Sequence, residues 1–121
     1  MTGTTNSNSL GNPSSFLDAV RILSETIDSR AEADPSSSYT ASLLAKGHKN
    51  VAQKVSEEGS ELAIAIVSEG EREVASEAAD LIYHLLVGLR ARGVALEHVA
   101  TILKAREGQS GLEEKAGREN S

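Results

Sequence analysis

The sequence predicts an all-α domain of four or five helices, and three observations carry that prediction. Apolar residues recur at three- and four-residue spacing along successive segments, nothing alternates apolar with polar as a half-buried strand does, and Gly, Pro or Ser clusters separate the segments. The first helix is expected from Ser15, where Ser15 and Asp18 resemble a capping box and Phe16, Val20, Leu23 and Ile27 share a face until Asp34 and Pro35 interrupt it. Ser36, Ser37 and Ser38 can cap a short helical turn through Leu43 and Leu44, which Gly47 ends by tolerating a left-handed conformation. A long helix is expected from about Asn50 to Ser68, closed by Gly70, because steps of about 100° place Val51, Val55, Leu62 and Ile66 on one stripe. Its successor runs from Glu71 to Arg92, with Val74, Ala78, Leu81, Ile82, Leu85 and Leu89 giving a wide apolar face; Arg90 and Arg92 complement its C-terminal dipole and Gly93 is the stop. Leu96, Val99, Ala100 and Leu103 support a last helix to about Arg106.

Polar ends bound this pattern. Residues 1–14 read as a flexible lead, 108–121 as a flexible charged tail, and 15–107 as the packing domain. With aromatics at 2% and a core of Ala, Val, Leu and Ile, one protomer buries too little apolar surface for comfortable stability, so a homodimer or larger homo-oligomer is expected to complete the bundle. The net charge of −6 argues against nucleic acid and anionic membranes as partners and favours cations as guests. With no Cys there is no disulfide framework or thiolate metal site, and no secretory or transmembrane run is present; a soluble cytoplasmic protein is expected.

The chemistry is concentrated in two acidic elements. Glu57, Glu58 and Glu61 form EExxE on one long helix, and Glu77 and Asp80 form ExxD on the next. With Glu58 at zero on its wheel the apolar stripe lies at roughly 20° to 80° and Glu61 at about −60°; with Glu77 at zero, Leu81, Val74, Leu85 and Ala78 lie at roughly 40° to 100°, Asp80 at about −60° and His84 near −20°. Both pairs thus border a packed face, and a hairpin about Gly70 brings four carboxylates toward one point. Two like charges about 5 Å apart repel by roughly 3 kcal/mol at an effective dielectric near 20. Such a group must hold protons or recruit a hard divalent cation, magnesium or manganese, unless its members are simply solvated faces. Glu57 sits about 100° from Glu58, placed either to orient water or a second ion or to face solvent.

The string SYTASLLAKGHKNVAQKVSEEGSEL followed by EAADLIYHLLVGL resembles the phosphoribosyl-ATP pyrophosphatase family, and RGVALEHV and SGLEEKAGR extend the likeness. EExxE with ExxD is shared with the wider MazG-like superfamily of helical nucleotide pyrophosphohydrolases. The SYTxxLxxKG match (Ser38, Tyr39, Thr40, Leu43, Lys46, Gly47) and the KVxEExxE match (Lys54, Glu57, Glu58, Glu61) narrow it, while the stretch between Gly47 and Lys54 departs from common versions. The resemblance implies a MazG-like bundle and hydrolysis of phosphoribosyl-ATP to phosphoribosyl-AMP and pyrophosphate, the second step of histidine biosynthesis. It further implies a magnesium cofactor, with manganese as a substitute, held by Glu58, Glu61, Glu77 and Asp80. Glu57, Glu58 and Glu61 are the catalytic candidates. Lys46, Lys49 and Lys54 are candidates for the polyphosphate, Lys54 also being placed as a counter-ion between Glu58 and Glu61. A fused cyclohydrolase is not expected, since the chain is short and lacks the cysteines that partner uses.

Other readings remain open on the residues. A house-cleaning pyrophosphohydrolase for noncanonical nucleoside triphosphates shares the metal elements, and a non-enzymatic helical dimerisation module would use the acids only for solubility. A ferritin-like bundle is disfavoured because it expects Glu-x-x-His, whereas Asp80 and His84 are four apart with no second copy. His84, Tyr39 and Tyr83 are expected to pack or hydrogen-bond, with Tyr39 also placed to meet a base or ribose.

Overall fold

Ser38 begins the ordered architecture of the middle of the chain as a helix cap: its backbone is extended (φ −142°, ψ 123°) and its hydroxyl accepts from the Ala41 amide at 3.1 Å. In the computed structural model, which describes residues 13–108 together with 117 and 118, the helices are α1 (Pro13–Arg30), α2 (Tyr39–Ala45), α3 (His48–Ser68), α4 (Glu71–Ala91) and α5 (Leu96–Ala105). Among the described residues there is no strand, and no helix is long and apolar enough to cross a membrane. Most of the expected lead and tail lies outside the described residues.

Two glycines do the punctuation expected of them. Gly47, at φ 97°, both ends α2 and caps α3. Gly93, at φ 67°, closes α4 in a Schellman turn: the Gly93 amide donates to the Arg90 carbonyl (3.0 Å) and the Val94 amide to the Leu89 carbonyl (2.9 Å), satisfying carbonyls the helix leaves orphaned. Gly70 is different, being extended (φ −84°, ψ 173°) rather than left-handed, so the α3–α4 joint is an extended Glu69–Gly70 link.

Ile27 of α1, Leu43 of α2, Val51 of α3 and Leu86 and Val87 of α4 form the buried core, with Val20, Leu23, Leu44, Val55, Ile82, Tyr83, Leu89 and Leu96 packed around it. Helix α5 buries none of its residues, so α1 to α4 are the body that positions the site. Three expectations need correction. Helix α1 starts at Pro13, which suits a first helical position because it has no amide to leave unsatisfied, so Ser15 sits inside the first turn instead of capping it. Phe16 (60% exposed) and Ile66 (63%) lie uncovered on a single chain. On α4 the buried residues are His84, Leu86 and Val87, while Leu85 stays 46% exposed.

Candidate functional site

Helices α3 and α4 are the most extensively packed pair, and their short link folds them into a hairpin that sets the acids of one against those of the other. Carboxylate oxygens of Glu58, Glu77 and Asp80 lie within 4.8 Å of one another. Glu58 and Glu77 are partly buried and Asp80 is exposed. Glu61, exposed on α3, adjoins Glu77 closely enough to act on its carboxyl group.

Oε1 of Glu58 and Oε1 of Glu77 are buried with no hydrogen-bond partner. Among the described residues no Lys or Arg forms an ion pair with Glu58, Glu61, Glu77 or Asp80. The Glu77 carboxyl is therefore pushed above the usual carboxylate range, first by loss of solvent, then by the charge and hydrogen bond of Glu61, then by the charges of Asp80 and Glu58. Buried acceptor oxygens without donors are expensive, and a hard cation relieves that cost and the mutual repulsion together. An all-oxygen donor set of this kind suits magnesium or manganese and is wrong for softer metals.

The other sequence candidates stand outside this cluster. Glu57 faces away, accepting from Gln53 Nε2 at 3.1 Å and pairing with Lys54 Nζ at 3.9 Å. Lys54 is thus drawn to Glu57 and not to Glu58 or Glu61. Lys46 caps the end of α2 and Lys49 lies in the first turn of α3; both are exposed.

One turn along α4 from the acids, His84 is 7% exposed, and its Nδ1 lies 2.9 Å from the Asp80 carbonyl oxygen. A carbonyl only accepts, so Nδ1 donates to it, and Nε2 lies 3.4 Å from the Tyr39 hydroxyl. Thr40 Oγ1 and the Tyr83 hydroxyl are 2.6 Å apart. Thr40 is named in the sequence only as part of the SYTxxLxxKG match, with no role assigned to it. The available signal was Tyr83 and His84 falling three and four residues after Asp80, on its face of the helix.

Residues 20–107 match the family described as Phosphoribosyl-ATP pyrophosphohydrolase. The chain belongs to that family. It is 53% identical over 96 residues to a phosphoribosyl-ATP pyrophosphatase of Cereibacter sphaeroides, covering 79% of this chain and 93% of the relative. To its namesake in Erythrobacter litoralis it is 50% identical over 102 residues, covering 84% and 98%. A third, from Novosphingobium aromaticivorans, is 50% identical over 98 residues, with 81% and 92% covered.

The phosphoribosyl-ATP pyrophosphohydrolase match contains every acid and lysine named as a site candidate. A cavity of about 580 Å³ between α1, the end of α4 and the start of α5 is a separate place. Two pairs of its charged groups neutralise one another: Arg90 meets Asp28 at 3.0 Å, and Arg21 meets Glu25 at 3.3 Å. Volume alone is a poor guide here, and the unmatched acids mark the site instead.

Proposed function

We propose that the protein hydrolyses phosphoribosyl-ATP to phosphoribosyl-AMP and pyrophosphate, the second step of histidine biosynthesis, at the α3–α4 carboxylate cluster. The observation that carries this reading is the convergence of Glu58, Glu77 and Asp80 within 4.8 Å, with two buried oxygens lacking any donor. The family membership supplies the substrate. Glu58, Glu61, Glu77 and Asp80 would hold magnesium, with manganese as a substitute. When bound, the cation neutralises the polyphosphate and lowers the pKa of a coordinated water.

The chain's own groups supply the rest. Glu61, beside Glu77, accepts the proton released as water attacks phosphorus. Lys46, Lys49 and Lys54 bind the polyphosphate, and Glu57 acts through Lys54, with which it pairs at 3.9 Å. Binding a polyanion next to four acids requires this cationic flank, since the net charge of −6 otherwise repels the substrate.

A second protomer completes the bundle. Phe16, Leu17, Ile64, Ile66 and Val67 are each more than half exposed on the single chain, and covering them removes apolar area that a lone protomer leaves in water.

The test is pyrophosphate release from phosphoribosyl-ATP, ATP and noncanonical triphosphates, with magnesium and with chelator. Release from phosphoribosyl-ATP that needs magnesium supports the reading. Release confined to other triphosphates makes the protein a house-cleaning enzyme, and silence on all substrates makes the acids structural.

A further inference from the structure

We propose that His84 is a positioning residue that holds Tyr39 as a stacking platform for the adenine ring of the substrate. This rests on the reading of the site given under Proposed function. His84 uses both ring nitrogens, one on the Asp80 carbonyl and one on the Tyr39 hydroxyl. Its ring also stands edge-on to Tyr39 (centroids 6.2 Å, 89°) and to Tyr83 (5.0 Å, 83°). Tyr83, hydrogen-bonded to Thr40, lies nearly parallel to Tyr39 at 6.1 Å and 18°.

Tyr39 is consequently fixed by its hydroxyl, by an edge and by a face, yet 55% of it remains exposed. A tyrosine recruited for packing would be covered, and one left at the surface by chance would not be tethered to a buried histidine. Holding the ring still in water favours a flat partner, because the entropy of ordering it has already been spent before the partner arrives. The place fits a base. Tyr83 and His84 follow Asp80 by one helical turn, about 5.4 Å, so the residues that hold Tyr39 lie on the same face of α4 as the carboxylates. Both faces of adenine are π surfaces, and base–aromatic stacking changes affinity by roughly tenfold to a hundredfold.

The chain has two Tyr and no Trp, so its tyrosine ring resonances report on this pair alone. Titration with AMP in magnesium buffer should move the Tyr39 ring protons upfield, whereas inorganic tripolyphosphate should leave them unmoved. With phosphoribosyl-ATP, Tyr39→Leu should raise KM about tenfold or more with kcat within about threefold, the signature of lost ground-state binding. Tyr39→Phe, which keeps the ring and loses the tether, should fall between it and the wild type. His84→Gln, which retains a polar group toward Tyr39, should resemble the wild type more than His84→Leu does. Because Tyr39 is at the surface, its variants keep the test valid even if a His84 variant fails to fold. An unchanged KM for Tyr39→Leu, a loss confined to kcat, or ring resonances indifferent to AMP would each overturn the platform. Failure of the wild type to hydrolyse phosphoribosyl-ATP would overturn the catalytic reading instead, and the AMP titration would still decide whether Tyr39 receives a purine.

Discussion

Helix α4 carries opposite electrostatic arrangements at two points along its length. Near its C-terminal end Arg90 reaches Asp28 of α1 at 3.0 Å and Glu32 at 3.9 Å, so acids there meet a cation and tie two elements together. Earlier on the same helix Glu77 and Asp80 meet Glu58 and Glu61, and buried oxygens go without donors. The first arrangement is complete in the chain alone. The second is a deficit that a cation would fill, and it is the deficit that distinguishes a site from an acidic surface.

The sharpest way to break this contrast is to remove the deficit. Glu61→Gln and Asp80→Asn should lower pyrophosphate release by on the order of a thousandfold or more, since carboxylate-held metal supplies several kcal/mol. Circular dichroism should show the helices intact, and melting in metal-free buffer should be unchanged or higher. Retained activity in either variant would remove it from the ligand set.

Magnesium itself is the next lever. At about a hundred times its dissociation constant it should stabilise the wild type by about 2.7 kcal/mol, and it should stabilise Asp80→Asn far less. Equal stabilisation of both would place the ion elsewhere.

Acidity should mimic the cation. The folded-state pKa of Glu77 is raised, so the folded chain binds that proton more tightly than the unfolded chain does. Ionised Glu77 opposes folding above its folded-state pKa, and the penalty is relieved as pH falls through that value toward the ordinary carboxylate range. Metal-free protein should therefore gain stability on mild acidification, and Glu77→Gln should flatten that part of the profile. A wild-type profile that falls over the same window would contradict the cause assigned to the shift.

The smallest effect belongs to the other end. Arg90→Met should cost about 1 kcal/mol or less, because its ion pairs are partly exposed, and should leave turnover within about twofold. A large loss of activity from Arg90→Met would join the two regions that the geometry separates.

Much of this was legible in advance because helical periodicity is local. The wheel positions of Glu58, Glu61, Glu77 and Asp80 beside apolar stripes, together with a break at Gly70, lead to the expectation that four carboxylates converge; Glu58, Glu77 and Asp80 lie within 4.8 Å of one another, and Glu61 is not in that group. The same wheels misjudged Leu85, Leu86 and Val87, since which side of α4 is buried depends on where α1 and α2 pack, and no single helix records that. Phe16 and Ile66 were read as interior because they are apolar, but one chain does not cover them. Lys54 was placed between Glu58 and Glu61 by angle, whereas Glu57, only three residues on, holds it. The Tyr39–His84 tether joins residues 45 positions apart, a pairing that no local pattern encodes.

The extended Glu69–Gly70 link has one more implication. Because the carboxylates are carried on rigid helices to either side of it, the segment from Glu58 to Asp80 behaves as a ruler. One residue inserted within α3 between Glu61 and Ser68 would swing the Glu58–Glu61 pair by about 100° and about 1.5 Å relative to its partners, scattering the oxygens. Length changes in the Ala31–Ser37 turn or beyond Gly93 leave that spacing untouched, so insertions and deletions should be tolerated there and rejected between the two acidic elements.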